Sequence, residues 1–461
     1  LKRTIGGSLD DGYICFDMPF KTSTLVLYRY DQEMKQIASG EILLEYEGKE
    51  LNLERFITNG DRILVVGSMY DRKAKKKKII LTEVNSNALN TIVKQSELIS
   101  YDQRSAESDF NLIFLSSPDQ SKTLISTSSS NWEEDEFDFN FWVFDQDMNE
   151  LWHKTVEGKL DAGTELERVD EAVTFDRKGN VIFQFKQYPQ ERSEQSKQLG
   201  IHFWVVREEG QSLQKYFYPG GENILDLSPA LTPNGSLYCA GLYQDKANRD
   251  AGIIKLSFTP GERSEFAEHM LSIPKNDLVE KWKPTEDILE VEIRSVDTDQ
   301  IILRPDGGCI VVNTFRAMVE AYPQSSYYYG DVVVTSLDPE GQLEWCERIE
   351  IYDAVLSPKA ERANYVLFLQ ANQLWFIFND IKYGLNRYHD GKRIPKDVRE
   401  REIAVKIVGL SPSGKRTDAA LIPGGEVSNT VDVYNQYLMY KDRLVLMGVK
   451  DLQMHLTEIR F

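Results

Sequence analysis

Clustered histidine, paired cysteine and excess positive charge are all missing from this chain, and each gap closes off a class of chemistry. The five histidines, His153, His202, His269, His389 and His455, stand far apart with no motif around them. Acid–base and metal sites need groups that converge within hydrogen-bond or ligand reach. The four cysteines, Cys15, Cys239, Cys309 and Cys346, contain no CxxC pair. The first three fall in apolar runs, where a free thiol is normally a small buried hydrophobe. Neither a zinc site nor a disulfide framework is therefore expected. With 54 Lys and Arg against 73 Asp and Glu, the net charge of -19 offers no broad basic field for phosphate, and nucleic acid is excluded as a partner. No apolar run approaches the ~18 residues of a membrane-crossing helix. There is no GxSxG elbow, no HExxH and no P-loop. No metal or cofactor is expected, and catalysis is the disfavoured reading.

What the chain does contain is a turn that keeps returning between short apolar runs. It appears as Asp176-Arg177-Lys178-Gly179, Thr232-Pro233-Asn234-Gly235, Arg304-Pro305-Asp306-Gly307, Asp338-Pro339-Glu340-Gly341 and Ser411-Pro412-Ser413-Gly414. Pro presets φ early in such a turn, and Gly takes the later position where φ is positive. Runs such as 181–185 and 309–312 flank these turns and read as strands. Hydrophobic content of 41% is ample for a core. Second strands are expected to begin near Tyr13, Ile63, Thr123, Val181, Leu237, Cys309, Leu374 and Leu444. That gives about eight units at a long period, each of four strands, which is the signature of a repeat architecture.

This unit pattern resembles the β-propeller superfamily along nearly the whole length. The resemblance implies an all-β fold, a single domain over residues 1–461 built as a propeller of seven or eight four-stranded blades. The last unit lacks a fourth strand, and Lys2–Ile5 is expected to supply it and close the ring. Two β-sandwiches are the rival architecture. No Trp-Asp pair closes the units as in WD40 proteins, and the double glycines do not hold one place as in kelch proteins. Ser336-Leu-Asp338-Pro-Glu-Gly341-Gln-Leu-Glu-Trp345 looks like the Asp-box of sialidases, with its glycine one residue late and a single occurrence. The pattern Tyr243–Ile254 is similar to propellers of the gram-negative bacterial envelope. That similarity implies a periplasmic or otherwise extracytoplasmic setting beside an outer-membrane secretion or uptake channel. The chain begins at Leu1, which leaves room for an upstream leader.

In a propeller, the loop joining second and third strands emerges on the same face as the loop linking one blade to the next. Those loops carry aromatics and cations: Trp132 in the third unit, Tyr188 in the fourth, Tyr322, Tyr327, Tyr328 and Tyr329 in the sixth, and Arg387, Tyr388 and His389 in the seventh. Tyr, Trp and Arg supply the rigid area and planar hydrogen bonding of binding hot spots. The expected function is a non-catalytic docking face for a protein partner, with an outer-membrane channel or secretion component among the candidates. The alternatives are a hydrolase or lyase acting on glycan or peptide at the channel mouth, and a carbohydrate-binding module. The acidic run Glu133–Asp138 reads as a solvated loop. Asp145-Gln-Asp147-Met-Asn149 opens like a calcium loop but has Glu150 where glycine is required, so a hairpin turn is expected. The lysines at 73 and 75–78 read as a charged hairpin tip protecting the strand that follows.

Overall fold

The computed structural model describes residues 4–18, 22–102, 112–117, 119–131, 136–159, 164–168, 173–189, 200–208, 213–217, 223–232, 237–244, 251–258, 267–271, 295–321, 324–351, 353–356, 365–381, 388–389, 392–393, 403–422, 430–431, 437–440, 443–450 and 453–460. Among them every regular element is a β-strand. The strands run in chain order through consecutive antiparallel sheets. The first sheet is Thr4–Leu9, Gly12–Asp17, Thr24–Asp31 and Gln36–Leu43, and the second runs from Asn52–Asn59 to Ile92–Asp102. The third spans Ile113 to Lys159, the fourth Thr164 to Phe217 and the fifth Asn223 to Leu271. The sixth spans Ser295 to Leu356, the seventh Tyr365 to Ile422, and the last Thr430 to Arg460.

Alternation along each second strand turns successive residues to opposite faces and so into different interfaces. Val181 and Phe183 pack with Leu124, Phe141 and Val143 of the third sheet. Ile182, between them, packs with Leu227, Leu237 and Cys239 of the fifth. Tyr238 and Ala240 meet Cys309 and Val311 of the sixth, whose Val312 and Val334 meet Phe376 and Val408 of the seventh. Within this run the fourth, fifth and sixth sheets each share one apolar cluster with the sheet before and another with the sheet after. This is the construction of a β-propeller. Burial of such side chains stabilises by about 1.5–3 kcal/mol each, before chain entropy is counted.

The chain falls into two compact units, Leu1–Phe110 with Pro423–Phe461, and Asn111–Ile422. Within the first, Ile14, Leu25 and Leu27 pack on Ile63, Val65 and Ile80 of the second sheet, while Tyr13, Cys15 and Tyr30 pack on Val445 of the last. The first two inner strands approach closely. A Cβ at Gly6 would lie 2.6 Å from the Phe56 ring, and the space it leaves is filled by Phe56 stacking on Phe16 at 4.9 Å.

The expected seven or eight four-stranded blades are not matched. Six sheets have four strands and two have five. The extra strands arise where a long strand takes two short partners on one edge. Val181–Pro189 pairs with Thr174–Phe175 at one end and with Thr164–Arg168 at the other. Gln324–Leu337 pairs likewise with Leu343–Ile349 and then with Asp353–Leu356. The expected closure by Lys2–Ile5 is also corrected. Thr4 and Ile5 pair with Phe16 and Cys15 inside the first sheet. In the last sheet Thr430–Val431 and Tyr437–Tyr440 pair with Arg443–Lys450.

The recurrent turn has one hydrogen-bonding plan. Its first residue donates its N–H to the carbonyl of the fifth, and the N–H of the fourth returns to the carbonyl of the first. These bonds appear at Asp31–Lys35, Asp145–Asn149, Asp176–Asn180, Arg304–Gly308, Asp338–Gln342 and Ser411–Lys415. The fourth residue has positive φ each time: Met34 62°, Met148 59°, Gly179 92°, Gly307 93°, Gly341 85° and Gly414 77°. The opening side chain then accepts from the fifth residue's N–H, at 2.8 Å for Asp31 and Asp176, 2.6 Å for Asp338 and 3.0 Å for Ser411. Five of the six turns thus place an acceptor first; in the sixth, which opens with Arg304, Asp306 accepts from the Gly308 N–H at 3.0 Å instead, and all six place a residue with positive φ fourth. The calcium-like segment is this turn, with Asp145 Oδ1 accepting from the N–H groups of Asp147 and Asn149, each at 2.8 Å. The Thr232–Gly235 turn lies outside the described residues.

Candidate binding face

The recurrent turns of the larger unit join first to second strands and third to fourth strands, so they share one end of the sheets. At the other end the hairpins between second and third strands are long. In the third sheet Lys122–Asn131 and Glu136–Asp145 pair without interruption from Lys122 opposite Asp145 to Asn131 opposite Glu136. In the sixth, Cys309–Ala321 has 13 residues and Gln324–Leu337 has 14. Its inner neighbour, Ser295–Leu303, follows it only as far as Arg316. Beyond that rung the described hairpin continues to Ala321 opposite Gln324.

This hairpin corrects the expected loop at Tyr327, Tyr328 and Tyr329. They are paired with Met318, Ala317 and Arg316 on one side and with Val355, Ala354 and Asp353 on the other. A run of tyrosines has high strand propensity, and it extends the hairpin instead of interrupting it. Pleating places positions 327 and 329 on one face of the sheet and 328 on the other. Tyr188 is likewise in a strand, opposite Glu165. Tyr388 and His389 form a two-residue ribbon with Arg393 and Lys392. Trp132, Tyr322 and Arg387 lie outside the described residues, as does the first half of the acidic run, 133–135; its second half, Glu136–Asp138, is paired in the third-sheet hairpin and not in the expected loop. The described candidates thus sit in the fourth sheet, the sixth sheet and a separate ribbon, and no strand pairing joins these three.

The base of the sixth-sheet hairpin is pinned by a group that sequence reading did not single out. Asp331 is 3% exposed and takes the guanidinium of Arg348, with its other oxygen accepting from the N–H of Ile351 at 3.3 Å. Burial pushes its carboxyl above the ordinary carboxylate value, with the Arg348 charge opposing that rise. The carboxylate sits where the outer partner strand changes from Leu343–Ile349 to Asp353–Leu356. It fixes that exchange and, through it, the backing of the tyrosine segment.

A second network lies at the inner strand. Asp299 is the extra residue of a bulge between Thr298 and Gln300, and its carboxylate accepts from the hydroxyls of Thr314 and Tyr365. The second sheet repeats the device. Glu54 is the extra residue between Leu53 and Arg55, and it accepts from Ser68. Bulges re-aim side chains, and here each turns a carboxylate onto a hydroxyl of the neighbouring strand. No local sequence motif signals either network, because each is assembled by strand register from distant positions.

Among the described residues no group of three or more His, Cys, Asp or Glu is arranged to hold a metal ion. His153 stacks on Trp142 at 4.7 Å, its neighbour across the third-sheet ladder. The lysine run is a hairpin, with Lys78 paired to Glu97 at 2.9 Å and Lys76 to Asp102 at 3.7 Å. No described helix is long and apolar enough to cross a membrane.

No protein-family model matches the chain, and no curated protein matches it. Among solved structures it is similar to the β-propeller domain of the Trilobed protease from Pyrococcus furiosus, with 10% identity, a TM-score of 0.34, and coverage of 89% of this chain and 95% of that one. The WD40 domain of SCAP from fission yeast aligns at 10% identity and a TM-score of 0.33, over 97% and 92% of the two chains. A variant of the Synechocystis apocarotenoid oxygenase aligns at 9% identity and a TM-score of 0.37, over 92% and 90%. Likenesses this distant carry no argument about activity. The assignment to the β-propellers rests on the sheet order and shared clusters described above.

Proposed function

We propose that the long-hairpin end of the larger unit is a non-catalytic docking face for a protein partner, centred on the sixth-sheet hairpin at Tyr327–Tyr329. The observation that carries this reading is the hairpin itself. It outruns its inner neighbour, is backed on its outer edge by Asp353–Leu356, and is braced at its base by Asp331 and Arg348. A rigid element bearing consecutive tyrosines suits recognition, since such side chains bury large area at low entropic cost. Trp132, Tyr188, Tyr322, Arg387, Tyr388 and His389 extend the same face in this reading. The partner is proposed to be a component of a bacterial outer-membrane secretion or uptake assembly, a setting supported by the Tyr243–Ile254 pattern and by no other feature.

The strand placement of the tyrosines dictates the test. Alanine would remove strand propensity together with the rings, so threonine is the cleaner replacement. The tagged chain is purified from its native cells in mild detergent, and co-eluting proteins are identified by mass spectrometry. Replacing Tyr327, Tyr328 and Tyr329 by threonine is expected to abolish a stoichiometric partner while leaving the melting temperature nearly unchanged. Unchanged capture by that variant, or a collapse of its melting temperature, would count against the docking role.

A further inference from the structure

The second strands of the larger unit begin apolar and then, a few residues past the turn, place a polar side chain in full burial. Gln184 and Asn313 are both 0% exposed. Each follows apolar residues on its own face of the strand, Ile182 before Gln184, and Cys309 and Val311 before Asn313. Gln184 lies directly opposite Phe203 in its own sheet and shares a face with Ile182, so it points into the cluster formed with Leu227, Leu237 and Cys239 of the fifth sheet. Asn313 shares a face with Cys309 and Val311, on the side that packs on Tyr238 and Ala240 of the same fifth sheet. The two amides therefore flank the fifth sheet, one on each side.

Their hydrogen bonding is incomplete. Neither Oε1 nor Nε2 of Gln184 has a hydrogen-bond partner among the described residues. Asn313 Oδ1 accepts from the Thr298 hydroxyl at 3.1 Å, but its Nδ2 has no partner. A side-chain amide offers two donors and a two-fold acceptor, and leaving such groups dry costs about 1–3 kcal/mol each. At Gln184 the facing strand carries one position without a side chain. Leu237 and Cys239 line this interface, and by alternation the next residue of their strand turned toward Gln184 is Gly241, which has no side chain.

We propose that Gln184 and Asn313 each bind an internal water molecule, one in the interface of the fourth and fifth sheets and one in that of the fifth and sixth. The water at Gln184 accepts from Nε2 or donates to Oε1, and it donates to the second lone pair of a strand carbonyl beside Gly241, since the N–H groups there are committed to the ladders on either edge. The water at Asn313 accepts from Nδ2. Buried waters of this kind typically make about three hydrogen bonds to groups that would otherwise stay unpaired. Their role here is to add a polar stitch inside the apolar clusters, beside the direct bonds from Thr174 to the Pro229 carbonyl and from Ser228 to the Thr298 carbonyl.

The test is a crystal structure of the full chain at a resolution that places ordered water, together with thermal denaturation of Gln184→Met. The expected result is an enclosed water peak within hydrogen-bond distance of the Gln184 amide and another at Asn313 Nδ2. Gln184→Met, of similar length and apolar, should lose the first peak and melt a few degrees lower, because the water's other partners are stranded. Native crystals in which both amides are dry, or bond directly to protein atoms, overturn the inference. So does a Gln184→Met variant that melts higher than the native chain, since that is how an orphaned amide responds to replacement.

Discussion

Asp119 shows how much a single acceptor can do on an exposed turn. Its Oδ1 accepts from the Ser117 hydroxyl at 2.7 Å, from the Ser121 hydroxyl at 2.8 Å and from the Ser121 N–H at 3.2 Å. Those bonds favour the ionised form, with the Ser117 bond the largest contribution, and hold the carboxyl at about 2 against an ordinary 3.8. A carboxyl depressed on folding stabilises the native state fully above its unfolded value. That contribution is lost as the pH falls from 3.8 through about 2. Side-chain carboxyl NMR is expected to show Asp119 titrating at the bottom of this window, and Asp119→Asn should flatten the acid limb of the unfolding profile there. A carboxyl titrating near 3.8 would show that the serine bonds do not persist in solution. The sequence does not expose this residue, because Ser117-Pro118-Asp119 reads as ordinary turn composition and only the hydroxyl geometry distinguishes it.

At the scale of the element, the recurrent turn was legible in part. Gly marked it at 179, 307, 341 and 414, the last three with Pro as well, but Met34 and Met148 adopt the same left-handed backbone without that signal. The likeness to an Asp-box was read as a single occurrence. In the structure, Asp145 and Trp152 repeat the spacing of Asp338 and Trp345, with Met148 in the place of Gly341. Both tryptophans also reach the turn of the following sheet. Trp345 donates to the Pro412 carbonyl at 2.9 Å, and Trp152 lies 3.7 Å from where a Cβ of Gly179 would be. The glycines should consequently differ in tolerance. At Gly414 a Cβ would sit 2.8 Å from the rigid Trp345 ring, whereas at Gly179 the nearest atom is the flexible Lys122 chain at 3.3 Å. Left-handed backbone costs an alanine about 1–2 kcal/mol at either place. Gly414→Ala is therefore expected to destabilise by clearly more than Gly179→Ala in urea denaturation. Equal losses would mean that the Trp345 contact yields freely. The tyrosine hairpin failed to read as a strand for the opposite reason. A polar, aromatic stretch between Tyr322 and Tyr329 has loop composition, and its pairing with Asp353–Leu356 depends on a partner supplied from outside the hairpin.

For the whole molecule, all-β class and repeat order followed from turn spacing, because each hairpin is a local object and local patterning predicts it well. Strand number per sheet did not follow, since a strand such as Val181–Pro189 can take two partners on one edge with no change in its own pattern. In the larger unit, where each apolar cluster joins only two sheets adjacent in sequence, stability should also divide into separable parts. Phe141 lies in the cluster of the third and fourth sheets and Phe376 in that of the sixth and seventh, with no shared neighbour. Phe139 and Phe183, by contrast, are 5.2 Å apart in one cluster. Truncating a buried phenylalanine to alanine costs about 3–5 kcal/mol, so leucine replacements are the gentler probes. Phe141→Leu with Phe376→Leu is expected to be additive to within about 0.5 kcal/mol, whereas Phe139→Leu with Phe183→Leu should depart from additivity by more than that. Denaturant unfolding of the four single and two double variants measures both couplings. A large coupling between Phe141 and Phe376 would mean that strain passes through the intervening fourth, fifth and sixth sheets, and that the clusters act as one core.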